Sequence, residues 1–289
     1  MAEKSIYLPN KDKIGVIPTL VQYQYFSGFS LSQKQKSIAS LHNSAREIGI
    51  NKVLEASSKS TEEIGIQLSA FNLLFDIDNK TYTVEQLFQS SKIFENGGPF
   101  IDLLNKTSKD AKTDDRLKES GNLVGFCFFG ESFPLEPKTF FYDWLYINAL
   151  LKNKKLISSL TVYDGFSDIE FNEKKSINCQ AYSLALFCSI LKNRPDILKC
   201  NSISKSNFLL LCKEEYETRA FKINSSKQKN IKDDIYDVIQ SSLKQLSKIE
   251  RAFSKLPDIN QEKIHTALYH INEAKTHLEE QMNEWSKTR

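Results

Sequence analysis

The sequence lacks the long apolar segments that mark membrane proteins and secreted proteins. No stretch approaches the ~18 consecutive apolar residues that a membrane-spanning helix requires. Residues 1–13 contain no apolar core of the kind that a signal peptide has. With 40% hydrophobic and 26% charged residues, the composition is that of an ordinary globular protein. We therefore expect a cytoplasmic protein that does not enter a membrane.

Paired cysteines and common catalytic motifs are also missing. The five cysteines never form a CxxC pair, and most lie in apolar surroundings such as GFCFFG, where a thiol packs as a small hydrophobic group. Three of the four histidines share one C-terminal segment that has no cysteine. No GxGxxG, GxxxxGK[ST], HExxH or GxSxG motif occurs. We therefore expect no metal and no cofactor, and the sequence does not support a nucleotide-loop enzyme, a zincin or a serine hydrolase.

The charge is nearly balanced. A formal net charge of +3 is too small to indicate a nucleic-acid-binding protein by itself. Lysines do cluster locally, and the clusters are Lys34 with Lys36, residues 152–155, Lys174 with Lys175, and Lys227 with Lys229. A solvated surface is the ordinary interpretation of such clusters. They permit contacts to DNA phosphates without demonstrating them.

Periodicity and turn residues predict a mainly helical chain with a few strands. Residues 14–31 are rich in β-branched and aromatic side chains, which favours one or two strands. Ser32 with Gln35, and Thr83 with Gln86, have capping-box spacing, which predicts two helix starts. Further predicted elements are a strand within 121–130 and helices over about 138–152 and 176–191.

The C-terminal part of the chain has a different composition. Residues 225–230, SSKQKN, are polar and resemble a linker. Two amphipathic helical stripes follow, one from Ile231 to Phe253 and one from Ile264 to Trp285, and Pro257 lies between them. The sequence therefore predicts a main domain over residues 1–223 and a helical hairpin over 224–289.

Three polar residues of one predicted helix are the first candidate site. Glu85, Gln89 and Lys92 lie at positions i, i+4 and i+7 of TYTVEQLFQSSKIFE, which places them on one helix face. A solvated helix face with a glutamate near its N-terminus is the ordinary alternative. The functional interpretation is a carboxylate in a pocket, with an amide and an ammonium that orient a polyhydroxylated ligand.

Other candidates are polar residues within apolar segments. Asn72 lies in LSAFNLLF, where an amide needs partners and a turn cap is the alternative. Asp143 and Trp144 lie in FFYDWLY, where the tryptophan belongs to the core and the carboxylate can reach a pocket. Ser176 and Asn178 open a predicted helix, whose N-terminus can bind a phosphate.

The order of these segments resembles a known superfamily. LSAFNLLF followed by YTVEQLFQSSKIF is similar to the paired signature of the NADAR superfamily. GFSLSQKQKSI, ENGGPFIDLL, FPLEPKTFFYDWLYINAL and DIEFNEKKSINCQAYSLA resemble more closely the NADAR antitoxins encoded beside DarT-type toxins that modify guanosine. The resemblance runs from about residue 20 to residue 215, so it does not cover the C-terminal helices.

The resemblance implies a fold, an activity and a set of residues. The fold is α+β and predominantly helical, a NADAR domain with a few short strands followed by the helical hairpin. The activity is removal of ADP-ribose from guanine bases of DNA, which counteracts a DNA ADP-ribosyltransferase toxin. The cognate DarT-type toxin, the modified DNA and ADP-ribose are then the partners. By position, Glu85 matches the signature glutamate, and the other matched positions are Asn72, Gln89, Lys92, Asp143, Trp144, Asp168 and Asn178.

Two departures from the family pattern are visible. Gln86 stands where many NADAR proteins have histidine, which removes an imidazole but keeps a polar side chain. GFSDIEFNEKKSINCQA occupies the place of a Trp-Gly-Asp-type segment, so the late ligand contacts do not carry over directly.

Cleavage of an ADP-ribosyl C–N bond passes through an oxocarbenium-like state, which suggests roles for these residues. Glu85 is the candidate that stabilises the cation or activates water, and Asp143 is a further candidate carboxylate. Lys92, Lys34 or a water is the candidate proton donor to the departing guanine amine. Lysines and helix N-termini, including that at Ser176, are expected to bind the diphosphate.

Two alternatives stay open. One is a NADAR N-glycosidase that acts on a small metabolite, such as a riboflavin-pathway intermediate. The other is a non-catalytic antitoxin that binds its toxin through the C-terminal hairpin.

Overall fold

The computed structural model describes residues 1–172, 176–253 and 261–287. The chain forms two compact units, Met1–Thr218 and Arg219–Arg289. The boundary after residue 223 stays a prediction.

Helices and short strands alternate along the first unit, so the α+β, predominantly helical fold class is confirmed. The strands are β1 (Ala2–Pro9), β2 (Val16–Tyr23), β3 (Val53–Glu55), β4 (Leu74–Ile77), β5 (Lys80–Thr83), β6 (Lys92–Phe94), β7 (Leu123–Phe128), β8 (Glu131–Phe133) and β9 (Gly165–Ser167). The α-helices are α1 (Leu31–Glu47), α2 (Glu63–Gln67), α3 (Val84–Ser90), α4 (Ser108–Lys112), α5 (Arg116–Glu119), α6 (Phe140–Lys152), α7 (Lys154–Ile157), α8 (Gln180–Asn193), α9 (Lys205–Leu211), α10 (Lys213–Phe253) and α11 (Gln261–Lys287).

The strands of the first unit form three small sheets. One has the order β2-β1-β9-β3, a second is the β4-β5 hairpin, and the third has the order β6-β7-β8. In the first sheet β3 and β9 run parallel, and Glu55 lies beside Ser167. The strand β1 has no counterpart among the sequence predictions. Its burial does not alternate, because Ser5, Ile6 and Tyr7 are all buried in succession.

Two apolar helices form the centre of the core. Every residue of α6 from Phe140 to Leu151 is buried, and most of α8 is buried as well. A helix that is apolar on all sides must be covered on all sides. Within the first unit α6 and α8 pack against each other, β4 contacts α6, and β1 and β9 contact α8.

The helix starts follow from capping side chains, with one difference from prediction. At α3 the predicted capping box is confirmed, since Thr83 Oγ1 accepts from Gln86 N at 3.2 Å and Gln86 Oε1 accepts from Thr83 N at 2.7 Å. The predicted cap of α1 at Ser32 is wrong. Ser30 is the N-cap residue, and its hydroxyl accepts from the backbone N–H of Gln33. Serines two residues apart offer the same cap chemistry, so composition alone does not choose between them.

The second unit contains most of α10 and all of α11. Residues 225–230 are helical, so their interpretation as a linker is wrong. They contain lysine and glutamine, which are good helix formers, and no glycine or proline. Gln240 contacts Met282, and Glu250 pairs with Lys275 at 2.7 Å, so the two helices run antiparallel.

The predicted break at Pro257 lies outside the described residues. Among the helices that the structure describes, none has the length and hydropathy needed to cross a bilayer.

Candidate functional site

A cleft of about 740 Å³ opens in the first unit, and we call it the polar cleft. Its walls come from residues 57–59, helix α3, the segment of α4 and α5, Tyr142 of α6, and the segments 168–172 and 176–180. The volume lies within the range of small-molecule sites.

A glutamate and a glutamine of α3 form the buried floor of the polar cleft. Both residues are almost fully buried, and Gln89 Nε2 donates to Glu85 Oε1 at 2.8 Å. This bond fixes the orientation of the amide, because the carboxylate needs a donor. Gln89 Oε1 is then a buried acceptor without a hydrogen-bond partner among the described residues. Such a group in a cleft is suited to receive a hydroxyl or N–H of a ligand.

Lys92 reaches the polar cleft from a strand. The predicted i+7 helical position is wrong, because α3 ends at Ser90 and Lys92 begins β6. The hydroxyls of Ser90 and Ser91 both donate to the carbonyl of Leu87, at 3.2 and 2.7 Å, which competes with continued helix. Lys92 nevertheless lines the same cleft as Glu85 and Gln89.

The environment of Lys92 makes its amine easier to deprotonate. Burial lowers the pKa of Lys92 to about 8; Glu85 opposes this shift, and Lys112 adds to it. Its Nζ lies 4.9 Å from the centre of the Phe88 ring. An amine with a pKa near neutral pH is suited to proton transfer.

Further cations line the polar cleft. Lys112 Nζ lies 3.6 Å from Glu85 Oε1 and 4.8 Å from the ring centre of Phe71. Lys59 and Lys118 line the same cleft. Since three lysines face one cavity in addition to Lys92, the site favours an anionic ligand such as a diphosphate.

Asp168 and Glu170 form an acidic wall. Asp168 Oδ1 accepts from the N–H groups of Glu170 and Phe171, both at 3.1 Å, which shapes a tight turn. Burial, and next the charge of Glu55, raise the pKa of Asp168 to about 7. Lys34, a predicted ligand-binding residue, does not line the polar cleft and instead pairs with Glu170 at 3.0 Å.

Sequence reasoning missed Glu55, whose hydrogen bonds connect the segment at Ser57 with the segment at Ser167 and Ile169. Its carboxylate accepts from the hydroxyls of Ser57 and Ser167, both at 2.6 Å, and from the N–H of Ile169 at 2.8 Å. Burial raises the pKa of Glu55, while these hydrogen bonds oppose the shift. The signal in the sequence is a glutamate within the apolar segment KVLEA.

Ser176 and Asn178 line the polar cleft but do not open a helix, so that part of the prediction is wrong. The helix α8 begins at Gln180, whose Oε1 accepts from the N–H of Ala70 at 2.7 Å. The predicted phosphate-binding helix N-terminus is thus replaced by a loop. Lys174 and Lys175 lie outside the described residues.

The structure does not bring Asn72 to the polar cleft. Its side chain donates to the carbonyl of Ile66 at 2.9 Å and lines a separate groove beside Lys152. This is the turn cap that the sequence left as the alternative.

Asp143 and Trp144 also lie away from the polar cleft, in the core. Asp143 accepts from the hydroxyls of Thr139, Ser183 and Tyr216 at 2.7, 2.6 and 3.2 Å. Trp144 Nε1 donates to the carbonyl of Ile203 at 2.8 Å. Because both side chains are buried and hydrogen-bonded inside the core, they do not reach the cleft.

A protein-family model described as DarT1-associated NADAR antitoxin matches residues 2–222. The chain belongs to this family. The resemblance seen in the sequence is therefore confirmed, and membership in this NADAR family supports a role as the antitoxin of a DarT-type toxin. Comparison with curated proteins finds no match. The match ends near the start of the second unit, so the family does not account for α11.

Proposed function

We propose that this NADAR antitoxin is a hydrolase that removes ADP-ribose from guanine bases of DNA by cleaving the N-glycosidic bond. The observation that carries the proposal is the buried Glu85–Gln89 pair, which shares a lysine-lined cleft with the perturbed amine of Lys92. Family membership supports the removal of a DNA modification, since an antitoxin of a DNA-modifying toxin can act in this way.

In the proposed reaction Glu85 faces the anomeric carbon. Its side chain is only 5% exposed and lies on the floor of the cleft. A carboxylate there stabilises the positive charge that develops on the ribose as the C–N bond breaks. It also accepts a proton from the attacking water, whose oxygen forms the new bond to the anomeric carbon.

Lys92 supplies the proton that the departing base requires. With a pKa of about 8 its amine is roughly nine-tenths protonated at pH 7. As the C–N bond breaks, its electron pair goes to the guanine amine, which takes a proton from Lys92. The neutral form of the same amine is a nucleophile, so borohydride trapping is a direct check for a covalent route.

The remaining residues bind and orient the substrate. Lys59, Lys112 and Lys118 are positioned for the diphosphate. Gln89 Oε1, which has no hydrogen-bond partner among the described residues, is suited to a ribose hydroxyl, and Asn178 of the same cleft offers a further polar contact.

The test is release of ADP-ribose from guanine-ADP-ribosylated single-stranded DNA. We expect release by wild type and by Glu47→Gln, a matched control at an exposed position of α1. Glu85→Gln should lower the rate by about two to four powers of ten while folding is unchanged. No release by wild type would overturn the proposal and direct the search to small N-glycosides.

The second unit favours one other candidate function, which is direct toxin binding. The helices α10 and α11 extend beyond the family match and pair antiparallel. If Glu85→Gln still neutralised the toxin in cells and deletion of residues 225–289 abolished neutralisation, binding and not hydrolysis would be the antitoxin mechanism.

A further inference from the structure

A second cleft of about 480 Å³ adjoins the polar cleft, and we call it the aromatic cleft. The two share five lining residues, which are Phe88, Lys92, Tyr142, Ser176 and Asn178. Lys92 therefore stands at the junction of two neighbouring spaces. Glu85, in contrast, lines only the first of them.

The aromatic cleft differs from the polar cleft in chemistry. Beyond the shared residues its walls include Phe126, Phe140 and Phe141. The charged side chains that line it in the described part of the chain, besides Lys92, are Glu136 and Lys138. None of the lysines that we assign to the diphosphate lines this cleft. These rings are almost fully buried, so they form an apolar backing to the cleft. An apolar lining with few charges suits a planar, uncharged ring system.

Two exposed apolar side chains also line the aromatic cleft. Leu135, after β8, is 37% exposed, and Ile177, before α8, is 51% exposed. A single exposed apolar residue is ordinary, but these two come from separate segments and line one cavity. They are positioned to contact a ligand that enters the aromatic cleft.

We propose that the aromatic cleft binds the guanine base from which the sugar is cleaved, while the polar cleft binds the ribose and the diphosphate. The inference rests on the proposed hydrolase function. The scissile bond must lie near both Glu85 and Lys92, and Lys92 lines both clefts. Because the diphosphate-binding lysines line only the polar cleft, the base on the other side of the scissile bond extends into the aromatic cleft.

This arrangement requires that the modified nucleotide leaves the base stack. A base that is already single-stranded or distorted by a bulky adduct costs less to extrude than a paired one. The adenine of ADP-ribose lies at the other end of the diphosphate. It is therefore expected away from the aromatic cleft.

The test uses two probes that represent the two halves of the substrate, free ADP-ribose and guanosine monophosphate. Calorimetry on the full-length protein should show that both bind to wild type at the same time. Leu135→Trp and Ile177→Trp should fill the aromatic cleft and weaken guanosine monophosphate binding at least tenfold. ADP-ribose affinity should change less than twofold. Val162→Trp, at a 52% exposed position that lines neither cleft, is the matched control.

Two results would overturn the proposal. One is competition between the two probes for wild type, or no binding of guanosine monophosphate at all. The other is a loss of ADP-ribose affinity in both tryptophan variants, which would place the adenine in the aromatic cleft. Failure of the hydrolase function is seen separately, as absent turnover by wild type in the release assay, and does not alter the binding results.

Discussion

The rate of ADP-ribose release is expected to fall with rising pH from about pH 8, because Lys92 must be protonated to donate to the base. Burial lowers the pKa of Lys92 to about 8, whereas an unperturbed lysine titrates near 10.5. At pH 9 roughly a tenth of the amine stays protonated, so kcat/KM should be about tenfold below its plateau. An exposed lysine in the same role would sustain the rate to about pH 10.

A neighbouring charge provides the control for this assignment. Lys112 is one of the groups that lower the pKa of Lys92, so Lys112→Gln should move the decline to higher pH. The substrate's own titration is unaffected by that change. Lys118→Gln, a change at an exposed lysine in the same cleft that pairs with Asp115, should leave the midpoint in place.

The assay is kcat/KM on a guanine-ADP-ribosylated oligonucleotide between pH 6 and pH 10, for wild type and both variants. A midpoint that does not move in Lys112→Gln would show that another group titrates. A rate that rises through pH 8 would refute the donor role, because the neutral amine would then be the active form.

Three further predictions concern the residues around the site and in the core. Glu55→Ala leaves three buried donors without their acceptor and should lower the free energy of unfolding by about 3 kcal/mol or more. Urea denaturation measures this change, and an unchanged midpoint would contradict the role of Glu55 in connecting two cleft walls. Because the pKa of Asp168 is raised, the folded state binds more protons than the unfolded state between about pH 4 and pH 7. The contribution of Asp168 to the free energy of unfolding therefore decreases as pH rises through that window. Asp168→Asn should flatten the pH dependence of Tm. Asp143→Asn should reduce Tm by disturbing its three hydroxyl partners but leave ADP-ribose affinity in the folded protein unchanged, and a selective loss of affinity would return Asp143 to the site.

Local chemistry made several parts of the fold predictable. The Thr83–Gln86 capping box places the start of α3, and the apolar runs in α6 and α8 predict two buried helices. The end of α3 was not predictable from periodicity. Hydroxyl groups at Ser90 and Ser91 compete for a helix carbonyl, and a strand pairing with β7 takes over from Lys92.

The candidate site was predictable only where residues share one element or one motif. Glu85 and Gln89 meet because they are four residues apart on a helix. Glu55 and Asp168 are distant in sequence and come together only through the parallel pairing of β3 with β9. Asp143 is a carboxylate of the type that active sites use, but it is buried in α6. Its burial depends on tertiary packing, which the local sequence pattern does not predict.

The most direct test of the proposed hydrolysis is mass spectrometry of a guanine-ADP-ribosylated oligonucleotide after a single turnover in water labelled with oxygen-18. We expect wild type to return the oligonucleotide to its unmodified mass and to release ADP-ribose that carries one labelled oxygen, whereas Glu85→Gln should leave the adduct in place. An oligonucleotide that stays modified with wild type, or that loses its guanine and becomes abasic, would contradict cleavage of the bond between ribose and the guanine amine.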